Sequence, residues 1–341
     1  MSSLLKVIVK RVLSSLVVLI GLSILVFCLM RVIPGDPARL ALGPTAPEEV
    51  VEAYRERMHY NETLPVQYWY WLTDALHFDF GMSTITNRPV TKDIAEFLPA
   101  TLELVLWAGI PPIFFSLLLG VIGAMYNNKW PDYLIRFASY IIVATPSFVW
   151  AVLLLLIFGY WLPILPSIGG RISMSYSVPT VTGFMILDCW LSGQGAASWD
   201  AFLHLILPAV ALAIGHVMQE ARMTRSYMLE NSGKDYIVMM TSQGIPKRTI
   251  NSRFLLKPSI IPTVSVMGLD IAAIFGNAFL VETIFNWPGI SRYCMKAIMG
   301  KDINAVCAVV LLLGVVFVLT NMIVDIVVMI LDPRMRQSRS K

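Results

Sequence analysis

Charge is what this sequence has least of. Asp, Glu, Lys and Arg make up 14% of its 341 residues, against roughly a quarter in a soluble globular domain. A chain this poor in charge does not read as a water-soluble fold. Cysteine and histidine are scarce too, four of each. Cys28, Cys189, Cys294 and Cys307 are scattered, in neither a zinc-ligand spacing nor a disulfide framework. His204 and His216 share one apolar run, whereas His59 and His77 sit in a polar segment. A haem held by histidines therefore lacks its second pair, and packing or cavity lining is the reading left for them. No HExxH or GxSxG occurs, which removes support for two common hydrolase chemistries. The phosphate-cradling GxxxxGK[ST] loop is missing as well: Gly233-Lys234 and Gly300-Lys301 are each followed by Asp, without the earlier glycine. Any ATP-driven work must come from another subunit.

What is abundant is apolar sequence, 57% of the chain. Each membrane crossing takes about 20 mostly apolar residues, and six runs qualify: 12–30, 104–126, 137–162, 201–218, 260–281 and 305–330. The expected fold class is an all-α polytopic membrane protein with six transmembrane helices. Lys6, Lys10 and Arg11 precede the first run as in a signal peptide, but the run is too long and lacks a small-residue cleavage site, so a retained anchor is expected. Pro146 and Pro208 interrupt the third and fourth runs; such breaks persist in lipid where hydroxyls or neighbouring helices take up the freed carbonyls. The short apolar piece 183–190 cannot span and is expected on the outer surface.

Lys and Arg concentrate in the segments that share a side with the N-terminus, including Lys129, Arg136, Arg222, Arg225 and the tail from Arg334 to Lys341. By the positive-inside rule both termini are expected in the cytoplasm. The acids gather on the other side, in a segment 31–100 that reads as a small folded cap with a surface helix at 48–59 and a turn at Phe78–Gly81. The net charge of +4 then reflects sidedness and points to no nucleic acid. With no internal repeat or linker, residues 1–341 form one membrane domain carrying the 31–100 insert and a cytoplasmic loop at 222–258.

That loop contains "DYIVMMTSQGIPKRTINSRFLLKPSIIP". Asp235 is expected to cap a short helix over 236–243, Gly244 to end it and Pro246 to block its continuation. A second helix from Lys247 leads through Pro258 and Pro262 into the fifth span. Tyr236, Ile237, Met239 and Met240 are expected to be partly exposed, an apolar knob on a polar loop that calls for a partner.

This segment resembles the cytoplasmic coupling loop of ABC importer permeases of the dipeptide, oligopeptide and nickel group. The resemblance covers nearly the whole chain: "RVIPGDPARL" after the first run, "FDFGMS" and "RPV" before the second, "ATLEL" opening it, "VETIFNWPGISRY" after the fifth and "DPRMR" at the end. Each is weak alone; their order and spacing are specific. Gly244 and Pro262 match the family's loop glycine and downstream proline, while Val238-Met239-Met240 departs from its usual small or charged triplet.

The resemblance implies a type I importer permease fold with partners: a second homologous permease (a heterodimer), two cytoplasmic ATPase subunits that bind ATP and Mg, an extracytoplasmic substrate-binding protein, and membrane lipid. It implies no cofactor, metal or catalytic residue on this chain, placement in a prokaryotic inner membrane, and import of di- or oligopeptides by alternating access. Nickel chelates or other small solutes are the alternative cargo. An ATPase-independent secondary transporter is a weaker rival, since inverted repeats are not visible. For coupling the expected residues are Asp235, Tyr236, Met240 and Gly244, with Lys247 and Arg248 at the rim; the bland reading of these basic residues is a topology signal or a headgroup patch.

Within the fifth run, Gly268, Ala272 and Gly276 recur every fourth residue and put small side chains on one helix face. Close helix packing is preferred there over pore lining. Asp270 stands near mid-membrane, where a carboxylate is costly unless it meets water or a partner. Two readings stay open: a cavity-lining group that attracts a cation such as a peptide amino terminus, or a paired or protonated structural carboxyl. Asn277 is placed with it on the translocation path. Asp325, one helical turn from Asn321, is expected to pack between helices.

Overall fold

The computed structural model describes residues 3–32, 36–43, 45–166 and 169–331. Its helices, in chain order, are α1 (Ser3–Val32), α2 (Pro37–Leu42), α3 (Glu48–Arg57), α4 (Leu64–Leu76), α5 (Val90–Pro111), α6 (Leu117–Met125), α7 (Trp130–Ala144), α8 (Ser147–Leu154), α9 (Met185–Leu191), α10 (Gly195–Ser232), α11 (Asp235–Ser242), α12 (Lys247–Thr249), α13 (Leu256–Ile284), α14 (Ile290–Met299) and α15 (Ile303–Leu331). Among the described residues there is no strand, only an isolated bridge between Met82 and Pro89.

Among the described residues, five continuous stretches are long and apolar enough to cross a bilayer: Arg11–Met30, Val90–Met125, Gly195–Ser232, Lys247–Ile284 and Ile303–Val324. A sixth exists if α7 and the stretch Ser147–Trp161 count as one span, and these two are bent by 106°. The third run is therefore broken at the proline that interrupts it in the sequence. Pro146 has no N–H to give to Ile142, and the freed Ile142 carbonyl instead accepts the Thr145 N–H and the Trp150 indole N–H, each at 3.3 Å. The adjacent prolines Pro111 and Pro112 act more gently. They sit where α5 passes through a π-turn, Pro112–Ser116, into α6, and the Ser116 hydroxyl donates to the Pro112 carbonyl.

The 38-residue α10 is the axis of the molecule. At 1.5 Å per residue it is about 57 Å long, well beyond a bilayer's hydrocarbon core of about 30 Å. α5, α6, α7, α8, α9 and α13 all pack on it. The core is aliphatic, with Leu104, Leu205, Leu207, Leu212, Ile274 and Val281 among its buried members. Where α6 meets α10, Gly120 lets the backbones approach, since a Cβ there would lie 2.5 Å from Thr224. Peripheral α1 leans on α15 through Leu22 against Gly314 and shows much of its surface outward, with Val17 69% exposed.

The insert before α5 folds back as a cap. Its surface helix is Glu48–Arg57, slightly shorter than expected, and Phe78 and Gly81 turn the chain with φ of 61° and 79°. Arg55 pairs with Asp36 at 2.6 Å and with Glu52 at 2.6 Å. Phe27, Tyr68 and Trp71 cluster to seat α4 on α1. The GMSTITNRPV stretch ties the cap down by buried acids: Ser83 donates to Asp302 at 2.6 Å, while Thr86, Arg88 and Tyr293 converge on Asp93. Burial and the facing Asp93 acceptor push the Tyr293 phenol well above its usual value. The short piece expected on the outer surface is the helix α9, whose Asp188 gathers N–H donors from Val181, Thr182 and Gly183. The final "DPRMR", residues 33–35 of "RVIPGDPARL", the basic tail and the Asp325 side chain lie outside the described residues.

Candidate functional site

α10 and α13 are joined by the polar loop, and the loop's geometry follows from its glycine and prolines. Lys234, in extended conformation, precedes α11, and Asp235 is its first residue; Asp235 makes no side-chain cap bond. This corrects the expected capping role by one position. Gly244 follows α11 at φ 75°, the left-handed region that glycine enters without strain, and Pro246 opens the next turn. From Lys247 the chain runs through α12 and the π-turn Ile250–Leu255 into α13. Pro258 cannot donate to Phe254, and the Tyr236 hydroxyl reaches that carbonyl at 3.5 Å.

α11 is thus held against the start of the fifth span. Ile237 is its buried residue, 7% exposed, so the expectation of an exposed Ile237 is corrected: its side chain is the one that faces the protein. Val238 and Met239 point outward at 57% and 55% exposure, Tyr236 is exposed by its edge at 37%, and Met240 is half-buried. Lys247 and Arg248 are exposed. Asn231 bonds Ser259 at 2.9 Å and Thr224 bonds Thr263 at 3.1 Å, binding the ends of α10 and α13 to each other above α11.

Higher in the bundle, α10, α13 and the α7–α8 break enclose a cavity of about 310 Å³. His216 and Gln219 come from α10, Gly276 and Asn277 from α13, Thr145 and Pro146 from the break. The stripe of small residues on α13 divides here. Gly268 is in tight contact with α15, where a Cβ would fall 2.0 Å from Val324, and Ala272 is 1% exposed. Gly276 makes no close packing within this chain: nothing lies within 4 Å of its Cβ position, and it opens onto the cavity.

Asp270 is not alone. Its Oδ1 lies 3.5 Å from His216 Nδ1, and each of these side chains is 14% exposed. Behind it stands Glu220, 0% exposed, within interaction range of the Asp270 carboxyl and Ser116. Ser116 gives its proton to Pro112, and among the described residues neither oxygen of Glu220 nor Oδ2 of Asp270 has a hydrogen-bond partner of good geometry. Glu220 escaped the sequence reading because the fourth run was ended at residue 218. The available signal was its place one helical turn after His216.

Two further buried acids were missed for the same reason, and both are satisfied. Glu103 pairs with Arg171 and accepts from the Ile186 N–H at 2.9 Å, which holds the loop before α9 onto α5. Glu282 accepts from the Thr101 hydroxyl and the Arg292 N–H, and Gly289 lies directly against its carboxylate. Trp287, 1% exposed, donates to the Ala100 carbonyl at 2.9 Å. The "VETIFNWPGISRY" stretch is therefore the joint among α5, α13 and α14.

Apolar crossings around a cavity, with a loop helix bridging two of its walls, define a multi-pass membrane transport subunit. Comparison with known families agrees. Residues 116–337 match the binding-protein-dependent transport system inner membrane component, and residues 4–105 match the N-terminal family of the same membrane components. The chain is 36% identical to "Probable D,D-dipeptide transport system permease protein DdpB" of Escherichia coli K12, over 93% of each chain. It is 36% identical to the dipeptide transport system permease protein DppB of Alkalihalophilus pseudofirmus, over 96% of this chain and 98% of the relative. It is 30% identical to the glutathione transport system permease protein GsiC of Escherichia coli K12, with the same coverage. The chain belongs to the binding-protein-dependent transport system inner membrane component family, as a permease subunit of an ABC importer. Membership implies ATPase and substrate-binding partners.

Proposed function

We propose that this chain forms half of the translocation pathway of a peptide importer in a prokaryotic inner membrane, beside a second, homologous permease. Both termini and α11 face the cytoplasm. Two ATPase subunits there bind ATP and Mg and perform the hydrolysis, and an extracytoplasmic binding protein delivers cargo to the opposite face. This chain itself binds no cofactor. Peptide cargo is supported by the dipeptide and glutathione permeases to which the chain is similar.

The observation that carries the coupling role is that α11 bridges α10 and α13, both of which wall the cavity, while Val238 and Met239 stand exposed on it. An exposed apolar pair on a polar loop fits a docking surface. In our reading Val238, Met239, Tyr236 and Met240 seat in a groove of an ATPase subunit, with Asp235, Lys247 and Arg248 at the rim and Gly244 as the pivot. When ATP closes the ATPase pair, a displacement of α11 moves two cavity walls together, which is how alternating access would be driven. Asp270 and Asn277 belong to the path so opened.

The test is made on the complex purified with its binding protein. A cysteine at Met239 should crosslink to the ATPase, and should react with a membrane-impermeant thiol reagent only in inside-out vesicles. Proteoliposomes should take up radiolabelled dipeptide only with ATP and binding protein present. Labelling of that cysteine from the outside, or ATP-independent uptake, would overturn the proposal; preference for a nickel chelate would reassign the cargo alone.

A further inference from the structure

We propose that His216, which lines the cavity, and the acids Asp270 and Glu220 behind it form a subsite for one primary ammonium group, so that the permease itself reads the free amino terminus of its cargo. The proposal rests on the peptide reading above and deepens it.

The argument begins with unmet hydrogen-bonding capacity. Buried polar atoms in folded proteins nearly always have partners, yet among the described residues three carboxylate oxygens in this one place have none of good hydrogen-bond geometry: both oxygens of Glu220, beside Ser116 and the Asp270 carboxyl, and Oδ2 of Asp270. Glu220 is wholly buried, and the charged group beside it is another acid, Asp270. Glu103 and Glu282 show what the same chain does with an acid of purely structural use: each has its donors. Three unpartnered acceptors match the three donors of one primary ammonium.

Position supplies the second part. His216 lies on the wall of the 310 Å³ cavity and within 3.5 Å of Asp270 Oδ1, so the acids are reached from the cavity past the imidazole. Asn277 and Gln219 line the same space and offer amide groups to the remainder of a peptide. Glu220 and Asp270 also stand on different helices, α10 and α13, the two that α11 joins. A displacement of α11 that shifts α10 along α13 changes the separation of the two carboxyls and releases the ammonium, giving the fall in affinity that import requires.

Two measurements test this on the complete importer in lipid nanodiscs and proteoliposomes. In the first, dicyclohexylcarbodiimide labelling of Glu220 and Asp270 is followed by mass mapping, with alaninamide as cationic probe and lactamide as its neutral counterpart. Alaninamide should slow labelling several-fold and lactamide should not. Equal protection by both, protection by neither, or labelling that responds to pH alone would overturn the subsite in favour of an interhelical carboxyl contact. In the second, uptake of alanyl-alanine is compared with that of lactyl-alanine, in which a hydroxyl replaces the ammonium. The wild-type ratio should fall by about tenfold or more in Glu220→Gln and Asp270→Asn, as expected when hydrogen bonds to a charged group are lost; an unchanged ratio would overturn the proposal. Alaninamide protection without any dipeptide uptake would remove the peptide reading and leave the cation subsite standing. Dipeptide uptake without protection and with an unchanged ratio would do the reverse.

Discussion

Buried acids in this protein have fates set by what their neighbours donate. Glu282 has its acceptors filled and pays for nothing further, while Gly289 presses against its carboxylate so closely that a Cβ would lie 2.3 Å from Oε2. Gly289→Ala is therefore expected to destabilise the complex by about 1–3 kcal/mol, the usual cost of overpacking, read as a lower thermal midpoint in detergent. Gly276→Ala, with open space around it, should leave that midpoint unchanged. Glu103, Glu220 and Glu282 were all invisible to a hydropathy reading, whose runs begin at 104 and end at 218 and 281. A window scored on apolar content stops at a charge. Whether the helix continues through it depends on partners far away in sequence, such as Arg171 for Glu103 and Thr101 for Glu282. Asp270 was legible because apolar sequence surrounds it on both sides; its companion Glu220 was not.

At the scale of elements, α11 is the part whose form was most legible. Glycine and proline punctuate locally, so the end at Gly244 and the restart at Lys247 follow from the sequence. What was not legible is which side of a single turn faces inward: Ile237, Val238 and Met239 are alike in apolarity, and the packing of α11 on α10 and the Ile250–Leu255 segment leaves the first buried and the other two exposed. Gly244→Val should force a β-branched residue into a φ of 75°, at a cost of about 1–2 kcal/mol or more. The expected outcome is an assembled importer in which uptake per ATP hydrolysed falls several-fold while hydrolysis continues. Loss of hydrolysis in proportion to uptake would show that the pivot is not needed for coupling. The α7–α8 break teaches a related lesson. Pro146 announced an interruption, but the 106° bend depends on Thr145 and Trp150 supplying the donors that the proline removes.

At the scale of the molecule, the polar cap and loops and the apolar bundle respond differently to acid. The Arg55 hydrogen bond holds the Asp36 carboxyl below its ordinary value. Burial would raise Asp188, but the donors from Thr182, Gly183 and Val181 outweigh it and hold that group low as well. Groups depressed in the native state contribute stability fully above the ordinary carboxylate value of about 3.9 and lose it as pH falls through their native values. Below about pH 4 the cap around α2 and α3 and the loop before α9 should therefore lose amide-exchange protection, measured against the intrinsic rate at each pH, while the core of α10 and α13 stays protected. Hydrogen exchange with mass detection checks this, and uniform protection across both regions would refute it.

The amino-acid sequence by itself determined that the chain is a helical membrane protein, where most of its crossings lie, and that a punctuated polar loop joins two of them, because hydropathy, glycine and proline act over a few residues. The tertiary structure alone decided that Glu220 faces Asp270, that Gly268 packs while Gly276 opens onto a cavity, and that the third run is folded in two. Those outcomes depend on how helices distant in sequence cross and which side chains they bring into contact, and no local pattern encodes that.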